Sequence, residues 1–158
     1  MRIYRNRIVL SLIFILGLSV YWEFYLHPFT GSLYRSAIED YRVHRYARSL
    51  EKLQEADRFE PGDPSILALM GWDLLKLSKL RPAERCFRQA CEFAPENPDP
   101  LLGYIYTEIA LEKCQEAEHL LQTFARKYGK TPAYQNAEKM LREQIACAAS
   151  DAQETARP

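Results

Sequence analysis

Ser49-Leu50-Glu51-Lys52 places a hydroxyl three residues ahead of an amine, the nucleophile spacing of some acyl-transfer enzymes. Gly129-Lys130-Thr131 has the ending of a phosphate-cradling loop, but Phe124 stands where that loop's first glycine belongs. His27, His44 and His119 are scattered, and no H-E-x-x-H puts two imidazoles on one helix face. Cys86, Cys91, Cys114 and Cys147 form no C-x-x-C, so neither dithiol exchange nor zinc ligation is indicated. Cys86 and Cys91 are five apart on one expected helix, about 140° around it, and should not bond each other. In an oxidising compartment Cys114 is the available partner for one of them. The simpler expectation is buried thiols acting as small apolar residues. No group of residues unites nucleophile, base and orienter, so no enzyme, metal, cofactor or small-molecule substrate is expected.

Composition points the same way. Lys+Arg and Asp+Glu are both 21 in 158 residues, and this zero balance gives no electrostatic case for nucleic acid. With 27% charged and 47% apolar residues, the chain has the composition of a folded protein. Its beginning differs from the rest. Arg2, Arg5 and Arg7 precede an apolar run from Ile8 to Leu26. As a helix that run would be roughly 28 Å long, near the hydrocarbon thickness of a bilayer. Tyr21 and Trp22 stand at its far end, where amphipathic aromatics favour the interface. The exit, Tyr21-Trp22-Glu23-Phe24-Tyr25-Leu26, is too bulky for a signal-peptide cleavage site. The expectation is an uncleaved transmembrane signal anchor over 8–26. Residues 1–7 would stay in the cytoplasm by the positive-inside rule. In a bacterium the C-terminal domain would then lie in the periplasm, on an inner-membrane single span.

The elements that follow read as helices. His27 to Gly31 is expected to break the chain, ahead of helices near 32–42 and 47–59. Glu60-Pro61-Gly62-Asp63 has turn chemistry, and Asp63 can cap a helix with Pro64 at its first position. After a turn at Ser78–Arg81, Pro82 fits the first turn of the next helix. Asp99-Pro100 offers a second cap-plus-proline pair, before helices near 101–111 and 115–127. Thr131 is expected to cap a last helix, over which Tyr134, Ala137, Met140, Leu141 and Ile145 form one apolar face. Residues 148–158 are polar and are expected to be a disordered tail.

Laid out at a period of 34, the chain aligns like with like. Leu33, Leu67 and Leu101 share a column, as do Ala37, Gly71 and Ile105. So do Ser49, Ala83 and Ala117; Leu53, Phe87 and Leu121; and Ala56, Ala90 and Phe124. This pattern resembles the tetratricopeptide repeat (TPR) family. Residues 64–97 match best: Leu67, Gly71, Leu80, Ala83, Phe87, Ala90 and Pro95 occupy the family's signature positions. Residues 98–131 depart at Ile105 and Phe124, which are large where small residues are usual. Residues 30–63 depart at Asp40, where an apolar residue is usual. The resemblance covers about 100 of the 158 residues. It implies an all-α fold: an anchor helix, a three-repeat solenoid and a capping helix over 132–147.

The same resemblance implies a concave groove lined by the first helix of each pair. Its wall would be Tyr34, Ile38, Tyr41 and Arg42, then Ala68, Trp72, Leu75 and Lys76, then Leu102, Tyr106 and Ile109. Trp72 and Tyr106, one repeat apart, should lie side by side. Such a stripe suits a protein or peptide partner. Tyr34, Ile38 and Ala68 stand where a carboxylate-clamping groove of this family would have polar residues, which argues against a chaperone-tail clamp. The expected function is a membrane-anchored scaffold or assembly factor for a cell-envelope complex. The alternatives are a permanent subunit of a membrane machine and a cytoplasm-facing import-type receptor.

Overall fold

Pro64, Pro98 and Pro132 each begin a helix, and they are spaced by the repeat. Proline suits that position because its missing N–H would be unpaired there in any case. The computed structural model describes residues 13–18, 20–21 and 27–155. Over 27–155 it has seven helices: α1 (His27–Arg42), α2 (Tyr46–Phe59), α3 (Pro64–Lys76), α4 (Leu80–Phe93), α5 (Pro98–Ala110), α6 (Cys114–Tyr128) and α7 (Pro132–Thr155). Consecutive helices pack as antiparallel pairs. The odd-numbered ones, α1, α3, α5 and α7, also pack side by side as an inner layer. The result is an all-helical, TPR-like solenoid.

Side chains explain the caps. Asp63 Oδ1 accepts from the Ser65 and Ile66 amides at 2.8 and 3.0 Å. Asn97, not Asp99, caps α5, accepting from the Asp99 amide at 3.0 Å, so the cap-plus-proline pair is Asn97-Pro98. Thr131 Oγ1 accepts from the Tyr134 amide and starts α7. The expected break at His27–Gly31 does not occur. Pro28 and Gly31 lie in the first turn and a half of α1, where proline costs nothing. Phe29 holds that turn to α2, edge-on to Phe59 at 5.1 Å.

The three turns inside the pairs are built alike. His44, Ser78 and Glu112 all have φ near +60°, at the repeat spacing. Around Ser78, its amide bonds Leu75 O at 3.1 Å and the Lys79 amide bonds Leu74 O at 2.8 Å. The same two bonds recur around His44 and Glu112. This is the Schellman ending, which closes the last carbonyls of a helix.

The core runs the length of the solenoid. Ala37, Leu53, Ala56 and Ile66 form its first section. Leu50, Leu74, Ala83 and Phe87 continue it, and Ile105, Ile109, Leu121, Phe124, Tyr134 and Leu141 are among the residues that complete it. The Phe87 ring lies against two glycines. A Cβ at Gly71 would come within 2.7 Å of it, and one at Gly103 within 2.2 Å. Gly103 thus provides the close approach on α5 that Ile105, in the repeat column, does not.

Asp40, in an apolar column, is buried and ion-paired with Lys52 across α1 and α2. Arg45 and Arg48 approach it at 3.8 and 3.7 Å. In α7, Tyr134, Ala137 and Leu141 are buried, while Met140 and Ile145 are about half exposed. The apolar face is narrower than expected because α7 presents one stripe to α5 and α6. The helix also continues to Thr155, through the stretch expected to be a tail. That stretch carries Ala148, Ala149 and Ala152, and alanine has the highest helix propensity.

The expected anchor over 8–26 lies mostly outside the described residues, as do residues 1–7. Residues 13–18 and 20–21 are helical, with Ile13, Phe14, Ile15, Leu16, Leu18, Val20 and Tyr21 exposed. Among the described residues no helix is long and apolar enough to cross a membrane.

Candidate functional site

The inner layer carries the sequence-predicted wall, and its centre is Trp72 on α3. Its ring meets Phe87 edge-on at 5.2 Å and stands 6.1 Å from the Tyr106 ring on α5. Trp72 Nε1–H donates to Asp99 Oδ2 at 3.0 Å, tying α3 to the first turn of α5. Trp72 and Tyr106 are both half-buried. Each has one side on the core and one side open.

Three adjoining cavities follow the N-terminal ends of the inner helices. The first, about 190 Å³, is walled by Thr30, Tyr34, Glu60, Asp63 and Ser65 among others. The second, about 140 Å³, shares Tyr34 and Ser65 and adds Ala68, Trp72, Asn97 and Asp99. The third, about 400 Å³, shares Asp99 and is closed by Leu102, Phe124, Tyr128 and Ala133. Of the predicted wall, Tyr34, Ala68, Trp72 and Leu102 border these cavities. Tyr41, Arg42, Leu75 and Lys76 lie toward the opposite ends of their helices. Arg42 is exposed and paired with Glu39 at 3.3 Å. Ile38 is half-buried on α1. Ile109 does not line a groove: it is 4% exposed and belongs to the core with Ala117 and Leu121. Ala68 is also nearly covered, at 5% exposure, and forms the floor of the second cavity.

The cavity ends are acidic. Burial pushes the Tyr34 hydroxyl above its ordinary value, and the carboxylates of Asp63 and Asp99 add to the rise. Tyr41 is shifted the same way, first by burial, with Tyr46, Asp73 and Asp99 contributing. Sequence reasoning read Asp63 and Asp99 only as caps and did not read Glu60 as part of the site. Their common signal is position: all three flank the start of an inner helix.

The catalytic fragments do not assemble. Ser49 is fully buried and faces the Asp73 carboxyl group on α3. Lys52 Nζ is engaged by Asp40 and by Ser36 Oγ instead. Gly129 ends α6 with φ +79° and leads into the cap of α7. Cys86, Cys91 and Cys114 are half-buried free thiols. Burial raises the Cys86 thiol and pushes Cys91 up to about 11, which makes both poor nucleophiles. Among the described residues no group of His, Cys, Asp and Glu could hold a metal ion.

Comparison with known structures places this arrangement. The TPR domain of Arabidopsis OM64 superposes with a TM-score of 0.70 at 15% identity, covering 75% of this chain and 98% of that one. The first TPR domain of Spaghetti (RPAP3), bound to the HSP90 peptide SRMEEVD, gives 0.69 at 13% identity, over 75% of this chain and 94% of that one. The fold is that of a tetratricopeptide-repeat domain. The Sgt2 TPR domain of Aspergillus fumigatus gives 0.69 at 14% identity, over 83% and 85% of the two chains. In sequence, a TPR repeat-containing protein of Pseudomonas aeruginosa is 39% identical over 56 residues, 35% of this chain but only 10% of that protein. No family model matches. Within the TPR frame, the departures at Asp40, Ile105 and Phe124 are all absorbed by packing. Asp40 finds Lys52, and Ile105 and Phe124 fill the core beneath α7.

Proposed function

We propose that this chain is a membrane-anchored TPR scaffold or assembly factor for a cell-envelope complex, which holds a segment of a partner protein along its inner layer. The observation that carries this reading is the half-buried Trp72, which stands beside Tyr106 and lines the second of three adjoining cavities. Paired aromatics at the centre of a concave surface supply most of the binding energy in many interfaces. The RPAP3 domain, of the same fold, has a peptide bound to it. The Arg2, Arg5 and Arg7 cluster ahead of the apolar run supports a single inner-membrane span with the repeats in the periplasm. Domains of this fold are typically protein-interaction scaffolds, and the buried Ser49 and the Lys52 engaged by Asp40 do not form a catalytic pair.

A photo-crosslinking residue at Leu102 in cells should capture a discrete protein. Trp72→Ala with Tyr106→Ala should lower that capture about tenfold or more, the loss of a binding hot spot. Circular dichroism should report a folded solenoid for the same variant. Tyr106→Ala alone, which leaves the Trp72–Phe87 contact intact, provides the folded control with a smaller loss. Capture that survives both substitutions would overturn the reading. Protease added from the periplasmic side should digest the repeats. Digestion only from the cytoplasmic side would reverse the proposed orientation.

A further inference from the structure

The two cavities at the α1–α3–α5 end are walled by Glu60, Asp63 and Asp99, and among the described residues no lysine, arginine or histidine lines either of them. The N-termini of α3 and α5 point at the same place and offset part of this charge. Each contributes roughly half a positive charge, too little to balance three carboxylates. The acceptors are also incompletely used. Glu60 Oε1 is shielded from solvent and has no hydrogen-bond partner. Tyr34 and Trp72 present aromatic rings in the second cavity, beside Asp99. Aromatic faces next to a carboxylate form a favourable seat for an ammonium or guanidinium group. The third cavity differs: Leu102, Phe124, Tyr128 and Ala133 make it largely apolar, and Asp99 is the shared wall between the two kinds.

We propose that the segment held by this groove is an extended peptide stretch with a lysine or arginine seated between Tyr34, Glu60, Asp63 and Asp99, and a neighbouring large apolar side chain in the cavity under Leu102 and Phe124. This deepens the groove reading given above and rests on it. A protein segment is the occupant because the acidic and apolar cavities adjoin in a line along three inner helices. A small cation would fill only the acidic pair. The charge is opposite to what a groove binding a terminal carboxylate needs, so acidic and carboxylate-ended peptides are disfavoured.

The test uses the full chain and fluorescein-labelled short peptides of Ala, Leu and Phe that differ at one central residue: lysine, arginine, norleucine or glutamate. Fluorescence anisotropy should show the lysine and arginine peptides binding about tenfold tighter than the norleucine one, and losing this advantage as salt screens it. Asp63→Asn with Asp99→Asn should remove most of the preference. Asparagine caps α3 as well as aspartate does, and its carbonyl can still accept from Trp72, so folding should persist. Equal binding of all four peptides, preference for glutamate, or no binding of the basic peptides at millimolar concentration would overturn the proposal. Loss of cellular capture in the Trp72–Tyr106 variant, with capture unchanged in the Asp63–Asp99 variant, would leave the groove standing and remove the basic residue from it.

Discussion

Asp73 sits fully buried on α3, facing the Ser49 hydroxyl of α2. Burial pushes its pKa up to about 6, although Ser49 on α2 draws it partly back. The value in the folded chain therefore lies above the ordinary 3.8. The proton is held more tightly by the native state, so its stabilising contribution is complete below about pH 4 and is lost as pH rises through about 6. Asp73→Asn should match the parent at about pH 3.5 and exceed it at about pH 7.5 by on the order of 1–3 kcal/mol. Urea midpoints by circular dichroism at the two pH values test this, and a parallel pH profile in both proteins would refute it. Asp40 has the opposite behaviour. The Lys52 ammonium beside it, with Arg48 and Arg45 nearby, holds its carboxyl below the usual range despite burial. Two buried aspartates on neighbouring helices thus differ because one has a cation opposite and the other a hydroxyl. The sequence marks Asp40 as out of place in an apolar column. It does not name Lys52, which is twelve residues away and brought in by the turn at His44.

The helical pair is the element that repeats, and its turn is the most regular part. His44, Ser78 and Glu112 adopt the left-handed conformation that glycine tolerates best, yet none is glycine. The residues after them, Arg45, Lys79 and Lys113, precede α2, α4 and α6 without a side-chain cap, each giving its amide to the Schellman bond. A non-glycine residue in this conformation costs roughly 1–2 kcal/mol, and glycine returns part of the gain through its freer unfolded chain. Ser78→Gly should therefore stabilise the protein by about 0.5–1 kcal/mol. Chemical denaturation measures it, and a fall in stability would show that the turn depends on the serine itself. The place of this turn was legible in the sequence, at Ser78–Arg81, but its left-handed conformation was not, because no glycine marks it. The starts of α3 and α7 were legible because proline marks them, whereas at α5 two prolines compete and the true pair is Asn97-Pro98, not Asp99-Pro100. The early start of α1 was not, because Pro28 and Gly31 resemble a breaker until Phe29 is seen against Phe59.

At the scale of the whole solenoid, each unit relies on the next to cover its apolar face. The period of 34 made that architecture legible, and with it the adjacency of Trp72 and Tyr106. The cavities were not legible, because they arise where the ends of α1, α3, α5 and α7 meet, and no single repeat contains them. Polar links also cross the units. Lys113, at the start of α6, reaches Glu84 on α4 at 2.7 Å and Glu108 on α5 at 3.0 Å. The capping helix closes the array by placing Tyr134, Ala137 and Leu141 on Ile105, Leu121 and Phe124. Leu141→Ala removes buried volume from that seam and should cost about 2–3 kcal/mol. Because packing is nearest-neighbour, the loss should stay local. Hydrogen exchange should quicken in α6 and α7, while amides of α2 and α3 keep their protection under native conditions. The third cavity shares Phe124 and Ala133 with this seam, so the apolar half of the proposed peptide site should weaken with it, while the acidic half at Tyr34 and Asp63 is unchanged. Uniform acceleration of exchange across all seven helices would instead mean that the solenoid opens as one unit, with the cap holding the whole array closed.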